Sequence, residues 1–348
     1  MHQPRVRPAP SPTRWRRLAA SLGAVALLTA ACGAETDPAS DAEAEGDGEL
    51  TELSLAIASF DLAAGEDRRL MAGVFSPDRQ LVGGGELEFG LAFLGEGEAD
   101  MEAEIEQTVT ASFLGVPGIE PEAELGERPT LLEDTGSGVY AAEVDLDRAG
   151  LWGLRVVAEL EDGTVVSGQQ SFQVLEEPEV PDVGDEAPAV ENLTLEDVEA
   201  GEAAPVALDS RAQQEDDEIP DPQLHETTVA AAIEAGRPVV VGVTTPVYCA
   251  TRFCGPLTEV LADLSEQYDD RADFVHLEVW EDFDEGELNE AAAAFIQTEF
   301  GGNEPWVFLV GDDGMIEARW DNVVDIDELE ARLDALPTLE AVADGGGR

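Results

Sequence analysis

The chain has 348 residues, with 18 basic residues, all arginine, against 77 acids, for a formal charge of −59. That balance excludes a nucleic-acid partner, which needs a basic footprint, and excludes a peripheral grip on anionic lipid without a lipid anchor. Apolar residues make up 43% of the sequence, enough for packed cores, so the chain is not disordered throughout. The acids are spread over every segment and show no calcium-loop spacing. They read as a solvated surface suited to a salty medium, where screening removes self-repulsion.

The first 31 residues hold five arginines (Arg5, Arg7, Arg14, Arg16, Arg17) and no acid, and an apolar stretch runs from Leu18 to Leu28. A charged region, an apolar region and small residues in that order read as a secretory signal over residues 1–31. The apolar stretch is shorter than the roughly 20 residues a spanning helix needs. The run Leu28-Thr29-Ala30-Ala31-Cys32-Gly33 resembles a bacterial lipobox, with threonine where leucine is usual. The resemblance implies cleavage before Cys32, acylation of Cys32, and anchoring at the extracytoplasmic face of the cell membrane. An ordinary cleaved signal is the alternative. Losing the leader takes the charge from −59 to −64. Residues 32–50 are acidic and of low complexity, as a tether should be.

Residues 51–175 read as all-β. Period-two patterns run over Leu53–Ile57, Gly85–Leu94, Thr108–Phe113, Val139–Leu146 and Leu151–Val157. Turn residues at Ser76-Pro77-Asp78, Gly83-Gly84-Gly85 and Asp162-Gly163 separate them. Short, regular strands of this kind point to a β-sandwich, with Tyr140, Trp152 and Phe172 as core. The run from Gly138 to Val156 resembles the closing strands of bacterial immunoglobulin-like modules. Residues 176–218, with Pro178, Pro181, Pro188 and the block Glu215–Glu218, read as a linker. Within it, Val183-Gly184-Asp185-Glu186-Ala187-Pro188 is similar to the entry segment of secreted thioredoxin-like and peroxiredoxin proteins.

Residues 219–338 alternate helix and strand, and residues 339–348 read as a flexible tail. Helices are expected over Thr227–Ala235, Leu257–Tyr268, Glu287–Phe300 and Ile326–Leu336, and strands over Pro238–Val243 and Asp273–Trp280. A hairpin is expected from Trp306–Val310 and Met315–Trp320 across Gly311-Asp312-Asp313-Gly314. A buried strand leads into Cys254-Gly255-Pro256, an amphipathic helix follows, and Glu304-Pro305-Trp306 precedes the hairpin. With the order α-β-α-β-α-β-β-α, this resembles a thioredoxin-like domain. The whole chain is thus expected to be multidomain, an immunoglobulin-like sandwich followed by an α/β thioredoxin-like fold.

The resemblance implies thiol–disulfide exchange, with no cofactor. Leu257 stands where the family's second cysteine would be, so Cys249 is the available partner in a Cys-x4-Cys pair. Strand Val239–Val243 carries no buried acid. Gly255-Pro256 opens the helix and places Cys254 at its N-terminus, where free amides and the dipole stabilise a thiolate. Arg252 would add to that. Cys254 is then the expected nucleophile and Cys249 the resolver. Gly255, Pro256 and a cis Pro305 would line the substrate site, with Pro305 pairing to a substrate strand. Protein thiols or disulfides, or a membrane redox partner, are the implied partners.

Three other readings stay open. Thr245-Pro246-Val247-Tyr248-Cys249 with Cys254 resembles the two-cysteine peroxiredoxins, with one residue inserted and Asn303-Glu304 where an arginine belongs. Cys249, Cys254 and His276 resemble the soft copper site of Sco-type chaperones, with a different cysteine spacing. A binding lipoprotein with a plain stabilising disulfide is the last.

Overall fold

In a computed structural model, the described residues are 51–97, 103–119, 125–132, 138–298 and 302–339. The expected signal, the Cys32 anchor, the tether and most of the tail lie outside them. Among the described residues no helix is long and apolar enough to cross a membrane.

Ten strands build the N-terminal half: β1 Thr51–Glu52, β2 Ser54–Ile57, β3 Gly65–Phe75, β4 Leu81–Gly83, β5 Glu86–Gly95, β6 Gln107–Gly115, β7 Thr130–Leu132, β8 Gly138–Leu146, β9 Gly150–Glu159 and β10 Val165–Val174. They pair in the order β1-β10-β9-β5-β6-β8-β3-β4-β7, with β2 beside β3. The segment 51–57 pairs parallel to β10 at its start and antiparallel to β3 at its end. It therefore joins the two ends of the strand circuit around one core. Phe89, Leu91, Tyr140, Trp152, Leu154 and Phe172 fill that core, driven by apolar burial. Tyr140, buried as expected, donates its hydroxyl proton to the Gly84 carbonyl (2.5 Å).

The stretch expected as a linker is folded instead. It carries α1 Leu195–Ala200 and α2 Pro205–Leu208, and Val180 enters the C-terminal core. Residues 184–187 run along the second strand of the C-terminal hairpin: Gly184 N donates to Ile316 O (2.9 Å), Ile316 N to Asp185 O (2.9 Å) and Ala187 N to Gly314 O (2.9 Å). Prolines and acids marked this stretch as non-periodic, but its backbone amides find partners on a sheet edge.

The C-terminal half continues with a 3-10 turn at Pro222–His225, then α3 Val229–Glu234, β11 Val239–Thr244, α4 Cys254–Gln267, β12 Asp273–Glu278, β13 Trp280–Asp282, β14 Glu287–Leu288, α5 Glu290–Ala293, β15 Trp306–Val310, β16 Ile316–Asp321 and α6 Ile326–Ala335. The main sheet has the order β12-β11-β15-β16, with β11 and β12 parallel and the rest antiparallel. Strand β11 is buried along its whole length, which explains its unbroken valines. Apolar clusters cover both faces of the sheet, Val241, Phe295 and Phe308 in one and Val240, Leu261 and Trp320 in the other. The helix expected over Glu287–Phe300 shortens to α5, because the residues before it form the small hairpin β13–β14.

The halves meet through charge. Arg319 Nη1 lies 3.0 Å from Asp61 Oδ2 and its Nε lies 3.1 Å from Asp182 Oδ1, while Arg68 reaches Asp182 at 2.6 Å. Arg69 pairs with Glu328, and the Phe60 amide donates to Asp321. Met71, Val116, Val139 and Val323, with Phe253 beside them, make a small apolar seam there.

Candidate functional site

Helix α4 begins at Cys254, directly after the loop that leaves β11. Its N-cap, Phe253, supplies no side-chain cap, and no acid lies in the first turn. That leaves the Cys254 and Gly255 amides without an intrahelical partner at the sulfur's end of α4, while Pro256 has no N–H. Cys249 and Cys254 form a disulfide with Cα atoms 6.0 Å apart. The loop between them is held by Cys249 N donating to Thr245 O (3.1 Å) and by the Thr251 hydroxyl, 3.2 Å from Cys249 Sγ. Arg252 is exposed, with its backbone in the left-handed region at φ 68°.

The two sulfurs differ in access. Cys254 is fully buried, whereas Cys249 is partly exposed. Access therefore disfavours Cys254 as the attacking thiol and favours Cys249 as the sulfur a substrate meets. Beside Cys249, Tyr248 stacks on Phe283 with ring centres 4.1 Å apart, and Trp280 meets Phe283 edge-on at 5.4 Å. Val247 and Phe283 are 50% and 44% exposed, an apolar rim around the disulfide.

A glutamate completes the site. A carboxylate oxygen of Glu304 and the two sulfurs lie within 4.8 Å of one another. Burial pushes the Glu304 carboxyl up to about 6, with the Ala250 amide pulling back in part. Glu304–Pro305 is cis. Pro305 has no N–H, and its carbonyl accepts from Asn322 N (2.8 Å). The expected pairing of Pro305 with a substrate strand is left to the second lone pair of that carbonyl. Gly255 and Pro256 are both half-buried, and a Cβ on Gly118, in the loop after β6, would lie 2.9 Å from Pro256 Cβ.

His276 falls in a second group, not with the sulfurs. It lies in the interior with Asp209 and His225, all three buried. His276 Nε2 is 2.8 Å from Thr244 Oγ1, which is 2.7 Å from Thr258 Oγ1, which donates to the Cys254 carbonyl (2.8 Å). Burial drives the His276 imidazole down to about 3, only partly offset by Asp209. Burial alone would raise the Asp209 carboxyl, but His225 and the Arg211 fork outweigh it and hold it below its usual range. Nearby, Glu278 accepts from Ser210 N (2.8 Å), and burial pushes it up to about 7.

Sequence reasoning missed Asp209, His225 and Glu304. Asp209 lay in an assumed linker, and Glu304 was read only as the residue before a proline. One signal was available: the chain has three histidines, and His225 and His276 are the two outside the leader, their rings 5.2 Å apart.

No family model matches the chain, and no curated protein matches it. Among solved structures, MtrC from Shewanella baltica OS185 aligns with 39% of this chain at 13% identity and a TM-score of 0.22. The match spans about a quarter of that protein (24%). BslA, a bacterial hydrophobin, aligns with 36% of this chain and 97% of its own at 16% identity and a TM-score of 0.18. At such scores neither likeness carries a fold or an activity over to this chain.

Proposed function

We propose that the chain is a membrane-anchored extracytoplasmic thiol–disulfide oxidoreductase, an immunoglobulin-like sandwich joined to a thioredoxin-like domain. The observation that carries the reading is the Cys249–Cys254 disulfide at the uncapped N-terminus of α4. A structural staple needs no such placement, whereas a leaving thiolate gains from it. The order of elements in residues 219–338 supports the domain assignment. The apolar rim of Val247, Tyr248 and Phe283 suits a protein substrate.

The exchange runs in two steps. A substrate thiolate attacks Cys249 Sγ, forming a mixed disulfide and breaking the Cys249–Cys254 bond. The electron pair leaves on Cys254, where the first-turn amides of α4 stabilise it. The substrate's second thiol, deprotonated, then attacks the mixed disulfide and releases Cys249 as a thiolate. The substrate leaves oxidised and the pair reduced. With a disulfide substrate the same steps run in reverse. Glu304, near half-ionised at mildly acidic pH, takes up or returns the proton.

Glu304 also weighs against a peroxidase. Its carboxyl sits beside the sulfurs where a peroxide's developing charge needs a cation. The copper reading loses its third ligand, since His276 lies in the other group.

Trapping of mixed disulfides tests the assignment. Cys254→Ser leaves the accessible Cys249 without its resolving partner, so mixed disulfides with client proteins should accumulate. Cys249→Ser, with only a buried thiol, should trap several-fold less. Trapping by neither variant would make the disulfide a staple, and preferential trapping by Cys249→Ser would restore Cys254 as the attacking sulfur.

A further inference from the structure

The exchange described above uses none of the atoms that meet between Asp209, His225 and His276. Asp209 follows α2, His225 ends the 3-10 turn and His276 lies within β12. Asp209 Oδ2 is 3.7 Å from His225 Nε2 and 3.8 Å from His276 Nδ1. Both separations exceed a hydrogen bond's reach of about 2.7–3.2 Å. His225 Nδ1 and Nε2 and His276 Nδ1 are buried with no hydrogen-bond partner. Native interiors rarely leave such atoms empty-handed.

The proton on His276 can be placed by following its hydrogen bonds. The Cys254 carbonyl only accepts, so Thr258 donates its hydroxyl proton there. Thr258 then accepts from Thr244, whose hydroxyl proton is thereby committed. Thr244 must accept from His276, so Nε2 carries the N–H. The Thr244 carbonyl, 3.3 Å from the same nitrogen, agrees. Nδ1 of the neutral ring is therefore a lone pair, and it faces a carboxylate oxygen across 3.8 Å. Two acceptors opposed in a dry interior repel, and either a second proton on the ring or a metal ion between them relieves that.

We propose that Asp209 Oδ2, His225 Nε2 and His276 Nδ1 bind one divalent transition-metal ion of the zinc type. Two imidazole nitrogens and a carboxylate oxygen suit that class. Donors bonded at about 2.0–2.2 Å to one tetrahedral ion lie roughly 3.4 Å apart, close to the separations seen. Thr244 supplies the outer partner that fixes the tautomer of a metal-bound imidazole. Arg211 grips the same carboxylate (Nη2 to Oδ2 2.7 Å, Nε to Oδ1 3.0 Å), leaving Oδ2 its second lone pair for the ion, and is itself balanced by Asp221 at 2.8 Å. That grip keeps the carboxylate ionised and oriented. The ion would lock the 176–218 stretch, the 3-10 turn and β12 together, and through Thr244 and Thr258 brace the first turn of α4 under the disulfide.

The test uses the full chain, unfolded in chelator, refolded with Zn2+ or Co2+, gel-filtered and analysed for metal. The proposal expects about one ion per chain, retained in the Cys249→Ser/Cys254→Ser double variant. It expects cobalt d–d bands without thiolate charge-transfer bands. Thr244→Val keeps every ligand and removes only the outer partner, and should weaken binding about 10–100-fold. His225→Gln should weaken it at least as much. Should His225→Gln fail to fold, the wild-type cobalt spectrum and Thr244→Val still decide. A folded chain that retains no ion, an ion lost in the cysteine double variant, or equal affinity in Thr244→Val overturns the proposal.

Discussion

Glu304 lies within 4.8 Å of both sulfurs, and burial pushes its carboxyl up to about 6. Above that pH its charge opposes a thiolate on either cysteine. Glu304→Gln should therefore lower the thiol pKa and move the pair to a more oxidising potential, by up to about 30 mV, a tenfold change in equilibrium constant. It should also remove an inflection near pH 6 from the exchange-rate profile. An unchanged profile would detach Glu304 from the chemistry. The cysteine pair was legible through the resemblance, in which Leu257 stands at the family's second cysteine and leaves Cys249 as the partner of Cys254. The order of attack was not, because it depends on burial, which a five-residue separation does not reveal.

At the scale of elements, β16 and its neighbours set the pH response. Burial pushes the Asp321 carboxyl up to about 6 against the pull of the Phe60 amide and Arg319. A raised acid binds its proton more tightly folded than unfolded, so it favours the folded state at low pH. That advantage fades as pH rises through the folded value. Glu304 and Glu278 act in the same sense, near 6 and 7. Asp182 and Glu328, whose Arg68 and Arg69 partners outweigh burial and hold them low, change only below about pH 4. These three raised acids give a chain more stable at pH 5.5 than at pH 8, by several degrees in thermal midpoint. Asp321→Asn should flatten the difference, and a midpoint that rises with pH would contradict the balance.

The same scale shows what patterning reveals. Strands β8 and β9, and the first residues of β5, alternate because one face meets the core and the other is more open, and they were readable. Strand β3 was not, because its second half is buried on both faces, with Leu70 in the core of the N-terminal half and Met71 in the seam. Strand β10 was obscured by the polar run Gln169-Gln170-Ser171.

For the whole molecule, the joint between the halves is the exposed vulnerability. Arg319 is 11% exposed and pairs with a fully buried Asp61. Asp61 also accepts from the Glu179 amide at 3.0 Å. Removing one partner of a buried pair strands the other charge, at a cost of about 3–5 kcal/mol. Arg319→Met should lower stability by that order in denaturant unfolding, and a change under 1 kcal/mol would show the joint does not depend on the pair. Gly118 brings the N-terminal β half against Pro256 at a left-handed φ of 72°. Gly118→Val should push that loop away and speed thiol-reagent access to the reduced pair several-fold. No change in labelling rate would separate the sandwich from the site.

The redox potential of the Cys249–Cys254 pair, measured on the full chain in high salt by equilibration with dithiol buffers and thiol trapping, tests the central claim most directly. A value between about −120 and −270 mV, reached without unfolding, is the predicted result and matches working oxidoreductases. A value below about −300 mV, or no reduction until the chain unfolds, would contradict the account and leave the disulfide a staple.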